Sequence, residues 1–252
     1  MPAAAAEKIH DLSSFAEVLR ELQAGGFDFA VIGGAAISAY AHLAETRITT
    51  VDLDLYVSAA SLEELLRWAP RHGMKVLKRP RPRNIQVAFL DDGGLEVNLL
   101  TASTGLPEPD FVIRHARVFE LAAAGGLEVL VADPFDLLRN KLAVRREKDL
   151  PHIAFLQSFL EEEIVEAFAT EEAPRKRIAP ARRYLEIRGL SALPEALGER
   201  LLPLAKTAAD FRFLASQLPH PAQVERLLGP ATDAELRGEL ESIVASRREK
   251  GG

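Results

Sequence analysis

The spacing of apolar residues changes repeatedly along the first 160 residues, and each change marks an element. Phe15, Val18, Leu19 and Leu22 recur at helical spacing in residues 13–24, and Gly25-Gly26 closes that helix. The apolar run FDFAVIGG predicts a buried strand passing straight into a short helix, AAISAYAHL. In TTVDLDLYV the period drops to two. Asp52, Asp54 and Tyr56 share one strand face, and Val51, Leu53, Leu55 and Val57 share the other. Ser61 opens a helix, SLEELLRWA, as a capping box with Glu64, and Pro70 and Gly73 end it. Trp68 is a packing residue of that helix.

MKVLKR, NIQVAFL and GLEVNLLT predict three strands, the last two joined by a hairpin turn at Asp91-Asp92-Gly93-Gly94. DFVIRHARVFELAAAGGLEVLVA predicts a short helix or turn and then a hairpin across Gly125-Gly126. Asp133 and Pro134 start a helix, as N-cap and first residue, that runs through FDLLRNKLAVRRE. Pro151 disfavours a helical Leu150 and interrupts the pattern before the next helix, PHIAFLQSFLEEEIVEAFA. Beyond residue 160 the strand signal vanishes. EEAPRKRIAPARR reads as a charged connector, residues 195–217, 221–228 and 232–247 as helices, and SRREKGG as a frayed end. These elements predict an α/β (α+β) domain over 1–158, a mixed β-sheet flanked by helices, followed by a helical C-terminal region over 159–252.

Composition narrows the setting. The chain has 252 residues, 48% of them hydrophobic, which suffices for a sizeable core. No apolar run approaches the roughly 20 residues of a membrane span, and the first residues lack the basic-then-apolar order of a secretory signal. There is no cysteine, so disulfides and thiolate metal sites are excluded and a cytoplasmic location is expected. The net charge of −6 argues against a whole-protein nucleic-acid footprint. The cations are clustered, however: Lys75, Lys78, Arg79, Arg81 and Arg83; Arg139, Lys141, Arg145, Arg146 and Lys148; and Arg175, Lys176, Arg177, Arg182 and Arg183. Such patches are either solvated surface or local phosphate sites.

Two features carry candidate chemistry. Gly33-Gly34 at a strand-to-helix junction permits close approach and exposes helix N-terminal amides, which favour anions. Asp52 and Asp54 stand roughly 6–7 Å apart along one strand face and repel unless a cation lies between them. A hard divalent ion such as magnesium suits them. The six histidines form no metal-ligand cluster, and neither a Gly-x-Ser-x-Gly nor a P-loop is present.

Residues 27–57, and more loosely 13–158, resemble the nucleotidyltransferase superfamily with the DNA polymerase beta-like fold, and within it the AbiEii-like, toxin-type bacterial nucleotidyltransferases. The resemblance lies in Gly33-Gly34, in Arg47-Ile48-Thr49-Thr50-Val51-Asp52-Leu53-Asp54, and in Lys141 with Lys148-Asp149. It implies that Asp52 and Asp54 hold one or two magnesium ions, that Gly33, Gly34 and Thr50 position a nucleoside triphosphate, and that Lys141, with Arg145 four residues on along the same helix face, contacts the triphosphate. A nucleoside monophosphate would pass from the triphosphate to a hydroxyl of a tRNA, a protein or a small molecule, with pyrophosphate leaving. A toxin–antitoxin pair and an antibiotic adenylyltransferase are two settings it suggests. Relatives carry an aspartate where Asn98 stands. Either Glu96, on the same face as Asn98, completes the catalytic and metal set with Asp52 and Asp54, or the chain is a degenerate nucleotide-binding or interaction protein. Asp149 either caps the helix that begins near Pro151 or orients Arg145 or Lys148.

Overall fold

The computed structural model describes residues 10–76, 86–90, 94–231 and 233–251, with backbone alone at 86–90 and 250–251. Lys78, Arg79, Arg81 and Arg83 of the first basic group, and Asp91, Asp92 and Gly93 of the expected turn, lie outside the described residues. The chain divides into two compact units, Met1–Leu156 and Gln157–Gly252.

The first unit contains α1 (Ala16–Ala24), β1 (Phe29–Ile32), α2 (Gly33–Leu43), β2 (Asp52–Val57), α3 (Ala59–Trp68), β3 (Lys75–Val76), β4 (Gln86–Leu90), β5 (Glu96–Leu100), α4 (Pro109–His115), β6 (Arg117–Leu121), β7 (Leu127–Val131) and α5 (Pro134–Val144). The strands form one mixed sheet in the order β3-β4-β5-β2-β1-β7-β6. β2 runs antiparallel to β1 and parallel to β5, and β1 runs parallel to β7. The mixed sheet flanked by helices is therefore the architecture of this unit. The hairpin across Gly125-Gly126 forms as β6 and β7, after the short helix α4. Asp133 caps α5, its carboxylate accepting from the Phe135 amide at 3.1 Å, with Pro134 in the first turn.

The core follows the apolar pattern. Val18, Leu19 and Leu22 of α1, all of β1, and Leu53, Leu55 and Val57 of β2 are buried. Trp68 packs edge-on against Phe27 and stacks on His72. One start differs from expectation. Ser58, not Ser61, caps α3: the strand ends at Val57, the helix begins at Ala59, and the Ser58 hydroxyl accepts from the Ser61 amide at 3.1 Å.

A long helix, α6 (Leu150–Thr170), contains the division between the units. The second unit continues with α7 (Pro174–Arg188), α8 (Glu195–Leu201), α9 (Ala208–Gln217), α10 (Pro221–Glu225) and α11 (Ala234–Gly251). The expected connector is a helix. Pro174 sits in the first turn of α7, where no amide bond is lost. Pro180 lies inside, yet Arg177, Ile178, Ala181, Tyr184 and Leu185 bury one face at helical spacing. That burial outweighs the roughly 3 kcal/mol an internal proline removes. Arg177 is not surface charge: it is 1% exposed and its guanidinium donates to Asp210 at 3.1 and 2.8 Å. The expected helix over 195–217 breaks at Pro203, and Thr207 opens α9 with a capping box to Asp210. α11 continues through the end expected to fray, to Gly251. No helix among the described residues is long and apolar enough to cross a membrane.

Candidate functional site

The site grows from the junction of β1 with α2. Ile32 pairs with Asp54 across the sheet, and the chain then turns at Gly33 with φ +69°, a left-handed conformation that glycine adopts without strain. A β-carbon on Gly33 would stand 2.1 Å from Asp54 Oδ2. One on Gly34 would stand 2.7 Å from Thr50 Oγ1. The two glycines thus let α2 begin directly against Asp54 and Thr50. The buried Thr50 hydroxyl donates to the Asp52 carbonyl at 3.0 Å and lies 3.3 Å from Asp52 Oδ1.

On the other side of β2, the parallel register sets Asp52 opposite Glu96 and Asp54 opposite Asn98. All four side chains therefore share one face of the sheet. Asn98 occupies the centre. It is buried, and its amide donates to Asp52 Oδ2 at 3.1 Å and Asp54 Oδ1 at 3.2 Å. Glu96 stands at the start of β5, two residues back, and is half-buried. Among the described residues no group of three His, Cys, Asp or Glu side chains is arranged to hold a metal ion. The side chain that joins Asp52 and Asp54 is an amide rather than the Glu96 carboxylate. The cause is register: Asn98 faces Asp54 directly, one strand spacing away.

Burial, and then repulsion from Asp52, push the Asp54 carboxyl up to about 7. The Asn98 hydrogen bond and the charges of Lys141 and Arg146 oppose that rise. The amide supplies the pair with two N–H groups but no net charge. Its own Oδ1 is buried without a hydrogen-bond partner. The assignment of amide oxygen and nitrogen follows from this network, and rotating the amide by half a turn exchanges them. The rotated amide would offer the oxygen to the point the two carboxylates face. Two carboxylates and an amide oxygen are hard ligands and fit magnesium.

Lys141 and Arg145 do not act as one helix face. Lys141 is buried in α5, and its ammonium lies 3.0 Å from Asp149. Arg145 is the C-cap of α5, with φ 44°, and is exposed. Arg146 takes the expected place of Arg145, its Nε 2.8 Å from Asp149 Oδ2. Burial works against the Asp149 charge, but hydrogen bonds from Arg146 and Lys141 outweigh it and hold the carboxyl well below the usual range. Asp149 is therefore the hub of a buried ion cluster. Replacing it with asparagine leaves the Lys141 charge buried beside a neutral group, so the unfolding free energy is expected to fall by about 3 kcal/mol. Urea denaturation checks this, and the pair Lys141→Met with Asp149→Leu should recover most of the loss.

Arg146 and His152 belong to this neighbourhood although neither carries a sequence signal of its own. Arg146 could have been found from the three-residue step to Asp149. His152, in the first turn of α6, lies against Gly34: its Cε1 is 4.0 Å from where a Gly34 β-carbon would stand.

No family model matches the chain, and no curated protein matches it. Among solved structures, an antigenic nucleotidyltransferase-like protein from Paracoccidioides brasiliensis is similar at 16% identity over 84% of this chain and 95% of that one, with a TM-score of 0.33. A likeness that distant carries no weight for function, which rests on the side chains themselves.

Proposed function

We propose that the acidic face of β2 and the turn into α2 form a magnesium-dependent nucleoside-triphosphate site of nucleotidyltransferase type. One observation carries this reading: Asp54 and the glycine turn are pressed together so closely that no side chain fits between them. A cation at the acids and a phosphate at the turn would then be neighbours. Magnesium held by Asp52, Asp54 and the Asn98 amide oxygen would neutralise phosphate oxygens and make the α-phosphorus open to attack. The bare backbone at Gly33 and Gly34 would let the phosphates reach the first amides of α2. Lys141, engaged by Asp149, would act on the triphosphate through its field rather than by direct contact. Arg146, half-exposed and likewise hydrogen-bonded to Asp149, would add its charge to that field.

A second reading, nucleotide binding without transfer, is favoured by Asn98. An amide accepts no proton, so the acceptor hydroxyl would have to be activated by Glu96 from its place opposite Asp52. The acceptor class is a tRNA end, a protein side chain or a small molecule such as an antibiotic. In a toxin–antitoxin setting a small protein partner would cover the site.

Calorimetry with ATP, CTP, GTP and UTP, paired with transfer of the α-phosphate label to RNA, protein and small hydroxyl acceptors, tests both. Magnesium-dependent binding that Asp52→Ala abolishes is expected. Absence of any nucleotide binding with magnesium present would sink the proposal. If wild type transfers and Glu96→Gln stops it, the enzyme reading holds. If wild type only binds and Asn98→Asp gains transfer of at least about tenfold over background, the binding reading holds.

A further inference from the structure

Residues 65–90 contain seven Lys or Arg and neither Asp nor Glu, although the whole chain carries a net charge of −6. Segregation of that kind marks a face for a polyanion. Three of these cations, Arg67, Arg71 and Lys75, are among the described residues with their side chains. All three are exposed and pair with no carboxylate among the described residues, whereas Arg200, Arg212, Arg226 and Arg248 each pair with a glutamate. Within the same stretch lies Trp68, the single tryptophan of the chain. We propose that the end of α3 and the 3-10 turn after it, Ala69–His72, grip single-stranded RNA, with bases stacking on Trp68 and His72 and backbone phosphates meeting Arg67, Arg71 and Lys75.

Trp68 is half-buried, and its edge-on contact with Phe27 holds the indole in place. The exposed His72 ring stacks on it, with 4.0 Å between centroids and 20° between planes, and His72 Nδ1 lies 3.1 Å from the Trp68 carbonyl oxygen. Two rings fixed in this way form a platform that takes any base by its face, while nearby cations hold the backbone. Arginine suits phosphate, which a guanidinium meets with two N–H groups. RNA is bound by such stacking at unpaired ends and loops. Lys75 also stands in line with the acids of β2. It pairs with Leu90, Leu90 with Glu96, and Glu96 with Asp52, so one row crosses four strands. Lys75 and Asp52 therefore share a sheet face about 14 Å apart, three strand spacings. Use of the bound strand as hydroxyl acceptor rests on the transferase reading above; binding of the strand does not.

Titrating the full chain with a labelled single-stranded RNA of about 12 nucleotides, without magnesium or nucleotide, tests this. Tryptophan fluorescence reports on Trp68 alone and is expected to be quenched as the RNA binds. Three phosphate contacts give a slope of about −2 in the logarithm of affinity against that of salt concentration, and Arg67→Gln with Arg71→Gln should reduce it to about −0.7. Trp68→Ala and His72→Ala, read by anisotropy of the RNA, are each expected to weaken binding by about five- to a hundredfold. A Trp68→Ala chain that fails to fold leaves His72→Ala and the arginine pair, all exposed positions, to decide. Absence of RNA binding at low salt would overturn the proposal. So would binding without quenching, or an arginine double variant within twofold of wild type. Duplex RNA or anionic vesicles that bind as tightly would also overturn it, since charge alone would then account for the binding, and single-stranded DNA bound tenfold tighter would overturn the choice of RNA. Because neither magnesium nor nucleotide is present, failure here leaves the triphosphate reading standing, and failure of nucleotide binding leaves this one.

Discussion

Replacing Gly33 with alanine is expected to lower the unfolding free energy by about 3 kcal/mol or more, and to abolish magnesium-dependent nucleotide binding in whatever still folds. Two effects add. The residue has φ +69°, where an L side chain is strained by about 1–2 kcal/mol. The new β-carbon would also stand 2.1 Å from Asp54 Oδ2 and 2.9 Å from its Cγ. Asp54 cannot retreat, because Asn98 holds its other oxygen at 3.2 Å and β1 and β5 flank its strand. Adding Asp54→Ala removes the two nearest atoms and leaves only Cβ, at 3.0 Å, so the double variant should be more stable than Gly33→Ala alone. Denaturation of the two single variants and the double one measures that coupling, and strict additivity would show that the clash is not the cause. Gly34→Ala should be milder, since it meets the end of the Thr50 side chain, which can turn away.

Asp54→Asn is expected to stabilise the metal-free protein at pH 8 by roughly 2–4 kcal/mol while removing its response to magnesium. In the folded chain the carboxyl keeps its proton up to about pH 7. In the unfolded chain it gives the proton up near pH 4. Between those values the folded state holds the extra proton, so wild-type stability falls as pH rises from 4 to 7 and levels off above. The asparagine variant lacks that slope. Asp149 has the opposite sign: its stabilisation is complete above pH 4 and is lost only as pH drops through its depressed value. Melting temperatures from pH 3 to 8, with and without magnesium, separate the two. A wild type no less stable at pH 8 than at pH 5, relative to the variant, would contradict the strained acid.

What the sequence shows of this site is what depends on neighbours in the chain. Gly33-Gly34 at a strand end, the alternation in DLDLYV and the Asp133-Pro134 start are local signals, and each appears where its residue chemistry puts it. The partner of the aspartates is not local. Whether Glu96 or Asn98 faces them depends on the parallel register of β2 with β5, which no spacing within either strand encodes. Lys141 and Arg145 fail as a pair for a related reason: the helix ends at Val144, and the next residue turns left-handed and lies exposed while Lys141 is buried. The helix α7 is hidden by its two prolines, although its buried face keeps helical spacing.

The alternation of β2 also bears on how the chain reaches its fold. Leu53 and Leu55 are 0% exposed, and the acids occupy the opposite face. A slip of β2 by one residue against β1 and β5 would turn every side chain over, sending two carboxylates into the apolar layer and two leucines out of it. The central strand therefore cannot slip by a single residue. The same two charges proposed to hold a metal ion in the finished protein act during assembly as proofreaders of strand alignment, before any ligand is bound. A variant with both aspartates replaced by leucine would lose that check and should collapse into several competing pairings rather than one.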